Sequence, residues 1–234
     1  MADIALIDTI SQCIAAAAGL GTAAFALVDT TKAFGGGVSN CGFSEIERVV
    51  ALFFPKGEFN ETTITPQMAS SLGSHQLMLT LRANWLNGTA LEGQKAIAKS
   101  LLKLRFSTAT AGAYATATGM NAEVLASLAE KISNGTGLTL REGDAWARFD
   151  LMLTAILDQG YERGDQIYRN SAKALSVVVS IGLAVVGFYA YDQSFKSLGV
   201  ALLVGLAATP VAPVAKDLTS AIAAGAKAAE AFRK

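Results

Sequence analysis

Histidine and cysteine are almost missing from this chain: His75, Cys13 and Cys41 are the full complement in 234 residues. Three such side chains exclude a disulfide framework and leave no ligand set for a zinc centre. Nucleophilic catalysis of the Ser–His–Asp or Cys–His kind would have to run through His75. That residue falls inside a predicted helix between Ser74 and Gln76, and it reads as a structural or surface side chain. A carboxylate-only site for Mg²⁺ or Ca²⁺ remains compatible with the composition. Charge is scarce as well, at 16% against about 25% in soluble domains. Basic and acidic residues balance at nineteen each, so no net charge attracts nucleic acid. Neither a phosphate-cradling G-x-x-x-x-G-K loop nor a G-x-S-x-G elbow occurs. The chain is read as non-enzymatic, with no catalytic, cofactor-binding or metal-binding residue assigned.

What is present is apolar. Hydrophobic residues make up 52%, and mean hydropathy is +0.39. Residues 174–191 and 197–215 carry no charge and are separated only by a short polar stretch around Asp192 and Lys196. Each run approaches the roughly 20 residues that cross a ~30 Å hydrocarbon layer. Both are apolar all round, whereas a helix of a soluble protein shows a polar face. They are therefore read as a membrane-spanning hairpin, with Tyr189 and Tyr191 at its interface end. A third uncharged run, residues 9–28, reads as a retained first span, because no Lys or Arg precedes Lys32 to form a signal-peptide n-region. Its G-x-G-x-x-A pattern (Gly19, Gly21, Ala24) lies among alanines and lacks the preceding strand that a phosphate loop needs, so it reads as helix packing. Ala15, Gly19 and Ala23 place small residues at four-residue spacing, which lets backbones approach.

Between the spans the pattern is helical. Gly35-Gly36-Gly37 breaks the first helix. Ser44 with Glu47, Thr89 with Glu92, and Thr139 with Glu142 have capping-box spacing. Thr65-Pro66 and Asn121 are further starts, whereas Pro55, Asn87-Gly88 and Asn134-Gly135 are stops. Residues 107–118 are low in bulk and fit a loop or a tightly packed helix. Lys95, Lys99 and Lys103 line one helical face. Trp146, Phe149, Leu153 and Ile156 form an apolar stripe on a helix that runs as a stalk into the second span, with Gly160 and Gly164 as its weak points. Cys41 is assigned to a glycine-rich loop. Asn60, Asn87 and Asn134 begin N-x-[ST] sequons, the last two doubling as Asn-Gly turns.

The expected fold class is all-α: an integral membrane protein with about three transmembrane helices and a helical extramembrane domain. The expected division is 1–35 as a transmembrane helix, 36–172 as a helical domain with stalk, 173–216 as a transmembrane hairpin and 217–234 as an amphipathic tail. No basic residue lies in 1–31, but Lys32, Arg163, Arg169, Lys173 and Lys216 flank the spans. The positive-inside rule then puts the central domain and the C-terminus in the cytoplasm. Gly19, Ala23, Gly182, Gly187, Gly199 and Gly205 are candidates for helix packing, and Asp158, Glu162, Asp165 and Arg169 for a polar ring at a pore mouth. The expected function is a homo-oligomeric membrane assembly, a candidate pore or channel. The alternative is a membrane anchor whose cytoplasmic domain recruits a soluble partner. The expected partners are the lipid bilayer and further copies of the chain.

Overall fold

A computed structural model describes residues 2–55, 73–192 and 198–210. Among these residues all regular structure is helical. The elements are α1 (Ala2–Thr30), followed by a 3-10 turn at Thr31–Ala33, then α2 (Ser39–Ala51), α3 (Ser74–Leu86), α4 (Leu91–Arg105), α5 (Ala111–Thr118), α6 (Ala122–Ser133) and α7 (Leu140–Asp192). A last helix, α8, covers Leu198–Pro210. The chain forms two compact units: Ser39–Tyr168, here the helical unit, and Met1–Val38 with Arg169–Lys234, here the apolar unit.

The core of the helical unit follows the three-and-four periodicity of its helices. Ile46 and Val50, Leu77 and Leu81, Ala98 and Leu102, and Leu125 and Leu128 are all buried. The longest stripe is on α7, where Phe149, Leu153, Leu157 and Tyr161 recur every four residues and are nearly inaccessible. Trp146 and Ile156 flank it, half-buried. Aromatic rings fill the centre. Phe106 and Phe149 stack at 5.0 Å, Trp146 lies 5.1 Å from Phe149, and Phe53 lies 5.2 Å from Tyr114. The Tyr114 hydroxyl donates to the Leu102 carbonyl at 2.6 Å, so the one polar atom of that ring is satisfied. Residues 107–118 resolve the open choice in favour of a helix over 111–118, with small residues that let Ala111, Tyr114 and Ala115 reach the core.

Two of the expected helix starts have the anticipated chemistry. The Asn121 side chain accepts from the amides of Glu123 (2.8 Å) and Val124 (3.2 Å). Glu142 accepts from the Thr139 amide at 2.9 Å, and the Thr139 hydroxyl accepts weakly from the Glu142 amide at 3.4 Å, a reciprocal capping box. Two others do not. Helix α2 begins at Ser39, five residues before Ser44, whose hydroxyl donates to the Cys41 carbonyl within the helix. Cys41 is accordingly an exposed helical residue rather than a loop cysteine. Helix α4 starts after Ala90, and the Thr89 hydroxyl bonds the Asn84 side chain at 3.2 Å instead of capping. The Thr65-Pro66 start and the Asn60 sequon lie outside the described residues, as does the tail 217–234.

The glycines at 160 and 164, expected as weak points, sit where two helices touch. A Cβ on Gly160 would lie 2.9 Å from the Val49 Cβ, and one on Gly164 would lie 2.8 Å from the Gly42 carbonyl oxygen. At these positions glycine permits the contact that the helical unit needs between α2 and α7. The break after α1 is also specific. All three glycines 35–37 have positive φ, and a Cβ on Gly37 would overlap Thr31.

Candidate functional site

The apolar unit turns the usual arrangement of side-chain size inside out. Its buried positions are small: Ala18, Ala24 and Val28 on α1, Ser176, Ser180 and Ala184 on α7, and Ala201 and Ala208 on α8. Its large aliphatic side chains are found among the exposed positions, beside small residues such as Ala15, Gly19 and Ala23. Val186 is 66% exposed and Leu203 68%, and Ile14, Leu27, Val178, Val200 and Leu206 are exposed with them. Ser176, Ser180 and Ala184 recur every fourth residue, so one stripe of α7 carries only small side chains. The Ser176 hydroxyl donates back to the Ala172 carbonyl at 2.7 Å, and that of Thr22 to Ala18 at 2.8 Å. Hydroxyls bonded to their own helix cost little in an apolar setting.

Small residues let the backbones close in. A Cβ on Gly205 of α8 would lie 2.5 Å from the Ile181 Cα of α7. Of the six expected packing residues, Gly205 alone makes a tight contact among the described residues. Gly19, Gly182, Gly187 and Gly199 have no atom within 4 Å of a built Cβ, and Ala23 is exposed. The stripe Ala15, Gly19, Ala23 thus faces outward on α1, and Gly21, Ala24 and Val28 face inward. Gly187 instead helps line an apolar groove of about 420 Å³ with Ala16, Leu20, Leu183, Phe188 and Val204.

Two helices are long and apolar enough to cross a membrane, with candidate stretches Ile14–Ala33 and Leu140–Ala190. The described part of α8 is shorter, 13 residues, which is about 20 Å of helix. Asp29 and Lys32, expected at a membrane exit, are paired at 2.6 Å. Lys196 and the polar stretch around it, residues 193–197, lie outside the described residues.

The second cluster of chemistry is a ladder of charge between α4 and α7 in the helical unit. Lys95 meets Glu92 at 2.5 Å, Asp158 at 3.1 Å and Glu162 at 3.4 Å. One turn on, Lys99 meets Asp150 at 2.7 Å, and Lys103 pairs with the same carboxylate. The hydrogen bond that Lys95 donates to Glu92, with the two α7 carboxylates, holds its ammonium above the usual lysine range, outweighing its desolvation. Burial works against ionisation of Asp150, yet Lys103 and Lys99 overcome it and keep its pKa below the ordinary value. Lys131, with help from Thr139, lowers the Glu142 pKa to about 2.

This ladder redefines the four polar-ring candidates. Asp158 and Glu162 point at Lys95 of the same chain, and the lysine face is occupied by internal partners. Asp165 is half-buried in the helical unit, and Arg169 is an exposed residue of the apolar unit. The sequence shows the lysine spacing and the acid spacing separately, but nothing in it says that the two faces meet.

His75 is exposed at the start of α3. Among the described residues no three His, Cys, Asp or Glu side chains converge as metal ligands would. No protein-family model matches the chain, and no curated protein or solved structure matches it either. Any functional reading therefore rests on this geometry.

Proposed function

We propose that the chain is a non-enzymatic, homo-oligomeric membrane assembly whose apolar unit lies in a bilayer. The observation that carries the reading is the inverted distribution of size in that unit. In water, burying Leu and Val and exposing Ala and Ser is favourable at about 25 cal/mol per Å² of apolar surface. In hydrocarbon that drive is absent, and close backbone packing through small residues takes over. Ala, Ser and Gly inside with Val and Leu outside is the order that lipid favours. A contiguous exposed apolar surface of this kind otherwise marks an interaction site.

In this reading α1, the second half of α7 and the segment beginning at α8 are three spans. The orientation puts the N-terminus outside and residues 36–172 with the C-terminus in the cytoplasm, the lysines and arginines flanking the spans being retained there. The outward stripe Ala15, Gly19, Ala23 and the open Gly182 and Gly199 are surfaces for a second copy, since small residues that none of the described helices covers suit an approaching neighbour. Whether the assembly encloses a pore is a separate step, read by ion flux in liposomes.

Membrane pelleting with an alkaline carbonate wash, followed by mass photometry in detergent, tests the proposal. The expected result is retention in the pellet and a discrete oligomer. Release into the supernatant would overturn the membrane reading, and a monomer in detergent would overturn the assembly. In that last case the alternative, an anchor that recruits a soluble partner through the helical unit, stands in its place.

A further inference from the structure

Within the helical unit an open trough of about 640 Å³ lies between α7 and the corner joining α5 to α6. Arg148, Leu151, Met152 and Ala155 of α7 form one wall, with Met120 and Val124 opposite. The four α7 residues are spaced i, i+3, i+4 and i+7, so they share one helical stripe. The core stripe of Phe149, Leu153 and Leu157 faces elsewhere on the same helix.

Two features identify the occupant. The first is openness. Leu151 is 69% exposed, Met152 49% and Val124 40%, whereas a pocket for a small molecule buries about 70–90% of its ligand. Such a trough suits an elongated surface, and two flexible methionines among aliphatic residues suit the apolar face of a helix. The second is charge. Arg148 is the one ionisable side chain lining the trough. It is exposed and makes no ion pair or hydrogen bond among the described residues, as is also true of Arg141, whereas Lys95, Lys99, Lys103, Lys131 and Arg163 of the same unit are each paired with a carboxylate.

We propose that this trough docks an amphipathic helix of a partner protein bearing an Asp or Glu beside its apolar stripe, with that carboxylate meeting Arg148. Docking covers Leu151 and Met152 and supplies the missing counter-charge in one step. The inference goes beyond the membrane assembly and does not depend on it, because every residue it uses lies in the helical unit.

The test uses the full chain in detergent and two fluorescent helical peptides about 18 residues long. Both carry leucines at i, i+3, i+4 and i+7, with Glu beside the stripe in one and Lys in the other. Anisotropy should show saturable binding of the Glu peptide about tenfold tighter than the Lys peptide, as one interfacial charge pair supplies. Arg148→Glu should reverse that order, and Leu151→Asp should abolish binding of both with the circular dichroism unchanged. Equal affinities, no reversal or no saturable binding overturns the proposal. A change of oligomer mass on Leu151→Asp also overturns it, by making the trough a contact between copies. The membrane reading is decided separately by carbonate pelleting, so either can fail alone.

Discussion

Gly42 of α2 and Gly164 of α7 meet backbone to backbone: a Cβ on Gly42 would stand 2.5 Å from the Gly164 carbonyl oxygen, and the reverse distance is 2.8 Å. Gly42 is also closed off by Trp85 and Tyr168, each with an atom 2.8 Å from the built Cβ. Glycine-to-alanine in an open helix is stabilising by about 1 kcal/mol. Here the sign reverses. Gly42→Ala is expected to cost about 2–3 kcal/mol through overpacking, with Gly164→Ala next. Gly143→Ala, where nothing lies within 4 Å, should be neutral or stabilising. Thermal melts of the three variants check the order, and a stabilised Gly42→Ala would contradict the contact.

The ion pairs of the helical unit predict a two-sided pH dependence. The Glu142 carboxyl, at about 2 when folded against 4.5 ordinarily, binds fewer protons in the folded state between those values. Its contribution is complete above about pH 4.5 and is lost as pH falls through the folded value. Asp150 acts in the same direction. Lys95, raised when folded, contributes fully below 10.5 and loses that contribution as pH rises through its folded value. Denaturant melts from pH 2 to 7 should show a positive slope that flattens in Glu142→Gln, and an unchanged slope would refute the assignment. At neutral pH Asp150→Asn, which strips Lys99 and Lys103 of their shared partner, should cost about 1–2 kcal/mol.

Tyr161 is 1% exposed, and its hydroxyl has no hydrogen-bond partner among the described residues. Burial alone pushes its ionisation above the ordinary phenol range. Removing a buried donor that bonds nothing recovers its desolvation, so Tyr161→Phe should gain about 1 kcal/mol. A melting temperature that falls instead would mean that the hydroxyl has a partner.

The proposed bilayer placement makes a positional prediction. Val186→Arg puts a guanidinium on the outward face of α7 in the apolar unit, at a cost of about 2.5–3.5 kcal/mol for insertion near the middle of a span. Leu104→Arg, on an equally exposed leucine of the helical unit, carries no such cost. The fraction recovered after carbonate washing should drop for the first variant only. Equal recovery would argue against a bilayer around α7 at that level.

The sequence was most legible where one residue decides a local geometry. Asn121, Thr139 with Glu142, and the Asn-Gly turns at 88 and 135 depend on chemistry within a few residues, and each is found in place. Legibility failed where the deciding partner is distant. Gly160 and Gly164 are indistinguishable from helix-weakening glycines until Val49 and Gly42 are beside them. On α1 the alanine-rich run offers no contrast between faces, so the four-residue spacing of Ala15, Gly19 and Ala23 could not say which neighbour they meet; within the chain Gly21, Ala24 and Val28 are the buried positions. Ser44 has an ideal capping spacing, but the positive-φ glycines ahead of Ser39 let the helix begin earlier.

Because bulk faces outward in one unit and inward in the other, the two tolerate change in opposite ways. In residues 39–168 a truncation such as Leu153→Ala opens a void, whereas added volume at an exposed site is harmless. In the described parts of residues 14–28 and 176–208 the vulnerable positions are the buried small ones, such as Gly205, where one extra methyl wedges neighbours apart, and trimming an outer valine leaves the packing intact. A scan of substitutions along the chain would therefore change polarity at the boundary between the units.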